Sequence, residues 1–135
     1  MKVLVDTSVW SLALRRRAPA HPAVDELGAL IAAGRAAMIG PIRQELLSGV
    51  RDAAGFTRLC EHLRAFPDEI IERTDFERAA EHFNACRAAG VQGSNTDFLI
   101  CAVAERHGMP VLTTDTDFVR FASLIPVRLH RIQPH

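Results

Sequence analysis

Three observations predict an α/β fold with helices around a central, mostly parallel sheet of roughly five strands. Short β-branched or apolar segments alternate with longer segments of helical periodicity, and that alternation builds parallel sheets through right-handed crossovers. Five acidic residues, Asp6, Glu45, Asp97, Asp115 and Asp117, lie at or near points where a predicted strand hands over to a helix. In open α/β sheets, ligands bind outside the carboxyl ends of the strands, so such side chains converge from distant parts of the chain. The length of 135 residues, with 48% hydrophobic and 24% charged, suits one domain spanning 1–135.

Residues 2–5 read as a short buried strand ending at Asp6. Ser8 is placed to cap a short helix running to about Arg15. The basic run Arg15 to Arg17, followed by Pro19 and Pro22, is a break. A second helix covers about 23–33, with Val24, Leu27 and Ile31 as its apolar stripe and Asp25 and Glu26 in its first turn. Gly34 ends it. Residues 37–39 form a candidate strand, and Pro41 suits the first position of the next helix, which places Glu45 about one turn in.

Phe56, Leu59, Cys60 and Leu63 make the core stripe of a further helix that stops before Pro67. Residues 69–71 form a short candidate strand. Thr74 and Glu77 have capping-box spacing, with Phe76, Ala80, Phe83 and Cys86 continuing the helix to Gly90. Ser94 and Asp97 repeat that spacing and open a helix that buries Phe98, Leu99, Ala102 and Val103 and ends at Gly108. Residues 110–113 read as a strand leading to Asp115. Asp117 and Phe118 start a brief helix, and 127–130 supply the last strand. Phe76, Phe83 and Phe98 are core candidates.

Composition excludes several functions. With 16 basic and 16 acidic residues the net charge is zero, so the chain is no general electrostatic binder of nucleic acid. Any polyanion must be held by a metal, a few arginines and helix N-termini. Lys2 is the only lysine, which leaves no lysine base or Schiff-base chemistry. There is no Gly-Lys-Ser/Thr phosphate loop. No apolar run approaches the ~20 residues of a membrane span, and the acid at position 6 interrupts the apolar start, so neither membrane insertion nor a signal peptide is expected. Cys60, Cys86 and Cys101 have no metal-type spacing and sit on apolar helix faces. A reduced, cytoplasmic protein is expected.

Each acid has a plain structural reading. Asp6 can cap the first helix, although Ser8 can do so instead. Asp97 can complete a capping box. Glu45 can be a solvated helix residue, and Asp115 and Asp117 can favour the positive end of the last helix. Together they point elsewhere. Crowded carboxylates repel unless protonated or neutralised by a cation, and hard cations such as Mg²⁺ or Mn²⁺ prefer oxygen ligands and act on phosphates.

Four segments carry a family resemblance: Val-Asp-Thr-Ser-Val-Trp at 5–10, Pro-Ile-Arg-Gln-Glu-Leu-Leu at 41–47, Asn-Thr-Asp-Phe-Leu-Ile-Cys-Ala at 95–102 and Leu-Thr-Thr-Asp-Thr-Asp-Phe at 112–118. In this order they resemble PIN-domain ribonucleases, and among them the VapC-like toxins of bacterial type II toxin–antitoxin pairs. The resemblance covers nearly the whole chain and implies a PIN-like α/β/α sandwich and a metal-dependent endoribonuclease. It also implies an acidic quartet of Asp6, Glu45, Asp97 and Asp115, with Asp117 as an auxiliary acid. Ser8 and Thr113 or Thr114 would be polar helpers. Asp6, Asp97, Asp115 and Asp117 are the expected ligands of Mg²⁺, with Mn²⁺ as a substitute. Glu45 would orient a water or hold a second ion.

The implied partners are an RNA substrate, a small VapB-like antitoxin, and further copies in a homodimer and a toxin–antitoxin hetero-oligomer. Val24, Leu27, Leu30, Phe56 and Leu59 serve either an antitoxin groove or the core. Arg15 to Arg17 either contact RNA or form a solvated basic run. Trp10 either stacks on a base or is buried.

Other functions on this architecture fit less well. A receiver domain wants an acidic neighbour for Asp6 and a lysine after the last strand, and a dehalogenase-like phosphatase wants more than 18 residues after Asp115-Thr116-Asp117. A non-catalytic PIN-like binding or assembly domain is the remaining alternative, and such domains usually lose acids that this chain keeps.

Overall fold

The computed structural model describes residues 1–15, 17 and 20–132. Arg16 and Pro19, parts of the expected basic run and break, lie outside the described residues. In chain order the elements are β1 (Val3–Val5), α1 (Thr7–Ala13), α2 (Pro22–Ala32), β2 (Ala36–Ala37), α3 (Gly40–Ser48), α4 (Ala53–Leu63), α5 (Arg73–Ala88), α6 (Asn95–His107), β3 (Val111–Leu112) and α7 (Asp117–Ala122).

β1 is the middle strand, with β2 and β3 parallel on either side. All three of its residues are fully buried, as expected of a β-branched strand paired along both edges. Its register sets Leu4 beside Val111 and Val5 beside Leu112, so Asp6 and Thr113 leave the sheet side by side. On the other edge, Leu4 pairs with Ala37, and α3 starts three residues later.

The expected five strands are corrected to three. The segments at 69–71 and 127–130 run alongside but touch the sheet through single parallel bridges, Met38 to Asp68 and Val111 to Leu129. Pro67 lacks a backbone N–H and so limits ladder formation at the first. The second has only Val111 and Leu112 of β3 to pair with.

Several helix boundaries differ from the sequence pattern. The helix start expected at Thr74 lies at Arg73, where Glu72 and Asp75 form the capping box. Asp75 is preferred because Arg106 clamps its carboxylate from α6 through both oxygens at 2.7 and 2.8 Å. Thr74 and Glu77 have no such partner. The stripe of α2 is Ala23, Leu27 and Leu30, one position off the expected one, and Ile31 is exposed. Its cap is the His21 ring, which accepts from the Ala23 amide.

α6 is buried on every side, from Phe98 through Ala104. An all-round apolar helix belongs in a core, and this one packs along α5 and against β3. It ends at Gly108, whose φ of +65° is the left-handed conformation that glycine adopts without strain. Phe98, Phe118 and Phe121 form an aromatic cluster beneath its first turn. Phe76 and Phe56, expected in the core, are corrected to surface positions at 56% and 41% exposure. Each lies on the solvent side of its helix, while Ala79 and Cys86 of α5 and Leu63 of α4 take the inward positions.

Candidate active site

Asp6 follows β1 and occupies the N-cap position of α1, but its side chain makes no capping hydrogen bond. The carboxylate turns instead toward the end of β3. Ser8 Oγ and Thr113 Oγ1 each donate to Asp6 Oδ2 at 2.8 Å. Ser8, expected as the cap, sits inside the helix. Its oxygen also accepts from the Thr114 amide at 3.1 Å, so one serine joins both strand ends. Thr113 Oγ1 in turn accepts from the Asp115 amide, which fixes where the chain turns.

Asp6 is buried, and burial pushes its carboxyl above the ordinary value while the Thr113 and Ser8 hydroxyls pull it back. Asp97 also lies above its ordinary value. Burial is the main cause, opposed by Ser94, with the charges of Asp6 and Asp115 adding to the rise. The Asp6 and Asp115 carboxylates are thus near enough to Asp97 for their charges to be felt there. Asp97 also has the role its sequence position allowed. Ser94 N donates to its Oδ2 at 3.0 Å, and Asp97 N donates to Ser94 Oγ at 3.1 Å. Capping and site membership coexist because a carboxylate has two oxygens.

Asp117 begins α7 and donates its backbone N–H to Asp115 Oδ1 at 2.9 Å. Its own carboxylate has no comparable link to Asp6 or Asp97. Glu45 is exposed, in the second turn of α3. Trp10 is 1% exposed and packs edge-on to Phe66, so it is unavailable for base stacking. Arg15 and Arg17 are exposed.

All donors here are carboxylate and hydroxyl oxygens, the set a hard cation takes. Among the described residues, no three His, Cys, Asp or Glu side chains converge closely enough to enclose a metal. Mg²⁺ does not require such a cage, because it keeps several waters and binds through one or two carboxylates and substrate phosphates. The residues fit it in kind.

The sequence pattern missed a polar network behind this site. Glu105 of α6 accepts a bidentate bond from Arg78 and contacts the buried His82 ring at 2.9 Å. Arg78 holds the Glu105 carboxyl below its usual value. The spacing of Arg78 and His82, four residues apart on one helix, is the signal by which it could have been found. Burial pushes the Cys101 thiol well up, so that cysteine is an inert core residue.

A parallel α/β sheet that carries Asp6 and Asp115 just past its strand ends has the arrangement of an open-sheet ligand site. The chain belongs to the PIN-domain family, whose profile matches residues 3–124. It is 37% identical over 120 residues to Ribonuclease VapC11 of Mycobacterium tuberculosis, covering 86% of this chain and 88% of that one. Its fold is similar to FitAcB from Neisseria gonorrhoeae, with a TM-score of 0.75 at 22% identity over 95% of this chain and 96% of the other. It is also similar to VapBC2 from Rickettsia felis bound to a DNA fragment from their promoter, with a TM-score of 0.74 at 15% identity over 96% and 98%. No helix among the described residues is long and apolar enough to cross a membrane.

Proposed function

We propose that this protein is a Mg²⁺-dependent endoribonuclease, the toxic member of a toxin–antitoxin pair held inactive by a small VapB-like antitoxin. The observation that supports the reading is the Asp6 carboxylate, held by Ser8 and Thr113 where β1 and β3 end side by side in a PIN-domain sheet, with the charges of Asp6 and Asp115 felt at Asp97. The 37% identity to a protein named as a ribonuclease supports it. Asp6, Asp97 and Asp115 would hold the ion, with Asp117 beside them, and Mn²⁺ would substitute for Mg²⁺. A bound divalent ion supplies the charge that stabilises the oxygens of an in-line phosphoryl displacement.

The chain's own residues prepare that site. Ser8 and Thr113 hold Asp6 through Oδ2, and Oδ1 takes no side-chain hydrogen bond among the described residues. Ser94 anchors Asp97 in the same one-sided way. A divalent cation held here would offset the repulsion among the three carboxylates. Glu45, exposed in the second turn of α3, would orient a water or hold a second ion.

The antitoxin reading rests on the company the fold keeps among VapBC complexes and on α4. Leu59, Gly55 and Arg58 of α4 line a groove that reaches Ala13 and Leu14 of α1, and Phe56 is exposed on the same helix. Leu27 and Leu30, also considered for that surface, are buried in the core, so the contact falls to α4. Homodimerisation, a toxin–antitoxin hetero-oligomer and a cytoplasmic location belong to the same reading.

The test is cleavage of total cellular RNA by purified protein with Mg²⁺, with EDTA, and as D6N. Cutting that needs both the ion and Asp6 is expected. Full activity of D6N would refute the assignment, and no saturable Mn²⁺ binding by calorimetry would favour the non-catalytic PIN-like binding domain.

A further inference from the structure

The chain after α7 runs beside β3 and rises to the same sheet edge as Asp6. Val111 N donates to the Arg128 carbonyl at 2.9 Å and His130 N to the Val111 carbonyl at 2.8 Å, so the pairing is parallel. β1 leads into Asp6, and β3 leads through Thr113 into Asp115. The outer segment leads instead into a base, Arg131.

An exposed arginine is ordinary on a protein surface. Arg131 differs in how firmly its neighbours are held. The His130 ring contacts Glu26 Oε1 of α2 at 2.8 Å, and both side chains are mostly shielded from water. Ile132 is partly buried against the core. Between these two anchors Arg131 is exposed. Several other arginines serve the fold. Arg43, Arg78 and Arg106 pair with Asp68, Glu105 and Asp75, and Arg128 donates to the Gly108 carbonyl ahead of β3.

The sheet sets the distance between this base and the acids. β3 lies between β1 and the outer segment. Neighbouring strands are about 4.8 Å apart, which puts Arg131 about 10 Å from the strand that carries Asp6. That is too far for the phosphate under attack at Asp6 and suits an adjoining one. A chain of zero net charge has no general attraction for RNA, and carboxylates at the strand ends repel it. A substrate therefore needs a cation placed beside the acids, and a guanidinium offers a fixed fork of donors that matches phosphate oxygens.

We infer that Arg131 contacts the RNA backbone at a phosphate next to the one being cleaved, and so aligns the strand over the ends of β1 and β3. The inference rests on the nuclease reading and adds a direction to it. RNA crosses β3 toward the outer edge of the sheet, and this contact positions the backbone without reading sequence.

The test measures binding of a fluorescein-labelled, single-stranded RNA oligomer of mixed sequence to D6N protein, by anisotropy, over a range of salt concentrations. R131Q in that background is expected to weaken binding about fivefold at low salt. It also lowers the slope of log affinity against log salt by about 0.7, the share of one phosphate contact on a single strand. R131K keeps the slope, because the charge remains. R128Q removes the same charge three residues earlier, at the amino end of β3, and leaves the slope unchanged. Because Arg131 is exposed, R131Q keeps its fold. An unchanged slope in R131Q overturns the inference. So does an equal fall in R131Q and R128Q, which assigns the effect to net charge alone. In cleavage assays without D6N, R131Q raises KM for RNA and leaves kcat unchanged; a fall in kcat at constant KM also overturns the contact. Cutting by the parent with a slope indifferent to Arg131 removes the contact alone. An Arg131-dependent slope without cutting keeps the contact and removes the nuclease.

Discussion

Thr113 donates its hydroxyl to Asp6 Oδ2 across 2.8 Å, joining the ends of two parallel strands that lie 107 residues apart in the chain. The register of β1 against β3 makes the contact unavoidable, since Val5 pairs with Leu112 and the next residue of each strand follows. A buried carboxylate is thereby placed at the sheet edge by backbone pairing rather than by loop conformation.

Burial of Asp6 has a consequence for stability. Its carboxyl titrates above the ordinary value, so the folded chain retains this proton where the unfolded chain has already lost it. Stability therefore falls as pH rises from about 4 through the folded value, and the penalty persists above it. D6N removes the penalty, and its amide oxygen still accepts from Ser8 and Thr113. We expect the melting temperature of D6N to exceed that of the unsubstituted protein at neutral pH by a few degrees, with the gap closing toward pH 4. Cleavage falls at least about a hundredfold in the same protein. Thermal denaturation against pH checks the first, and RNA cleavage the second.

Asp75 behaves in the reverse sense. Its hydrogen bonds with Arg106 hold its carboxyl below the ordinary value, so its contribution is present above that value and is lost as pH falls through the folded one. D75N removes the charge that Arg106 clamps and leaves that arginine the Ile70 carbonyl at 2.8 Å and the Glu72 carboxylate at 3.8 Å. A loss of about 1–2 kcal/mol is expected, that of a hydrogen bond to a charged group, because 31% of the Arg106 side chain remains in water. Urea denaturation measures it, and a D75N protein as stable as the parent would show that the clamp contributes nothing.

How much of this was legible in the sequence depended on the kind of signal. Asp6 and Asp115 at strand ends, the parallel order and the capping box at Ser94 follow from local chemistry, and the structure has all three, whereas Asp97 follows helix α5 and Glu45 lies a turn inside α3. The strands at 69–71 and 127–130 were over-read, because a short apolar segment beside a sheet has the same pattern whether it makes one bridge or four. Phe76 was placed in the core on hydrophobicity alone. Helical spacing permits two adjacent stripes on α5, and only the packing of α6 selects the one containing Ala79 and Cys86. Ser8 was read as a cap because a serine two residues after a strand usually is one. Its actual partners lie at Thr113 and Thr114, beyond the reach of any local rule.

Gly93 precedes the Ser94 cap and lies against the aromatic cluster. A Cβ there would stand 2.6 Å from Phe121 Cζ and 3.0 Å from Phe98 Cε2, both in fully buried rings. Neither ring has room to retreat, so the turn must move. G93A is expected to cost about 1–3 kcal/mol, as overpacking does. It also displaces the first turn of α6, lowering the rate at saturating RNA. S94A, which loses a cap worth about 1 kcal/mol, serves as the comparison. If G93A matches the parent in melting temperature, the contact is relieved at no cost.

The final prediction returns to Thr113. T113V conserves the shape of the side chain and its β-strand packing but removes the hydroxyl that donates to Asp6 and accepts from the Asp115 amide. That hydroxyl is one of the groups holding the Asp6 carboxyl down against burial. Without it Asp6 stays protonated to higher pH, and a protonated carboxyl is a poor ligand for a hard cation. Activity in T113V is therefore depressed most on the acidic limb of the pH–rate profile. There a hydrogen bond to a charged group, about 1.5 kcal/mol, corresponds to roughly a tenfold loss. At alkaline pH the two profiles approach each other, since Asp6 is ionised in both. A uniform loss at all pH values would mean that Thr113 acts only by positioning Asp115. T113S, which restores the hydroxyl without the methyl, would then separate the two roles by recovering the acidic limb or failing to.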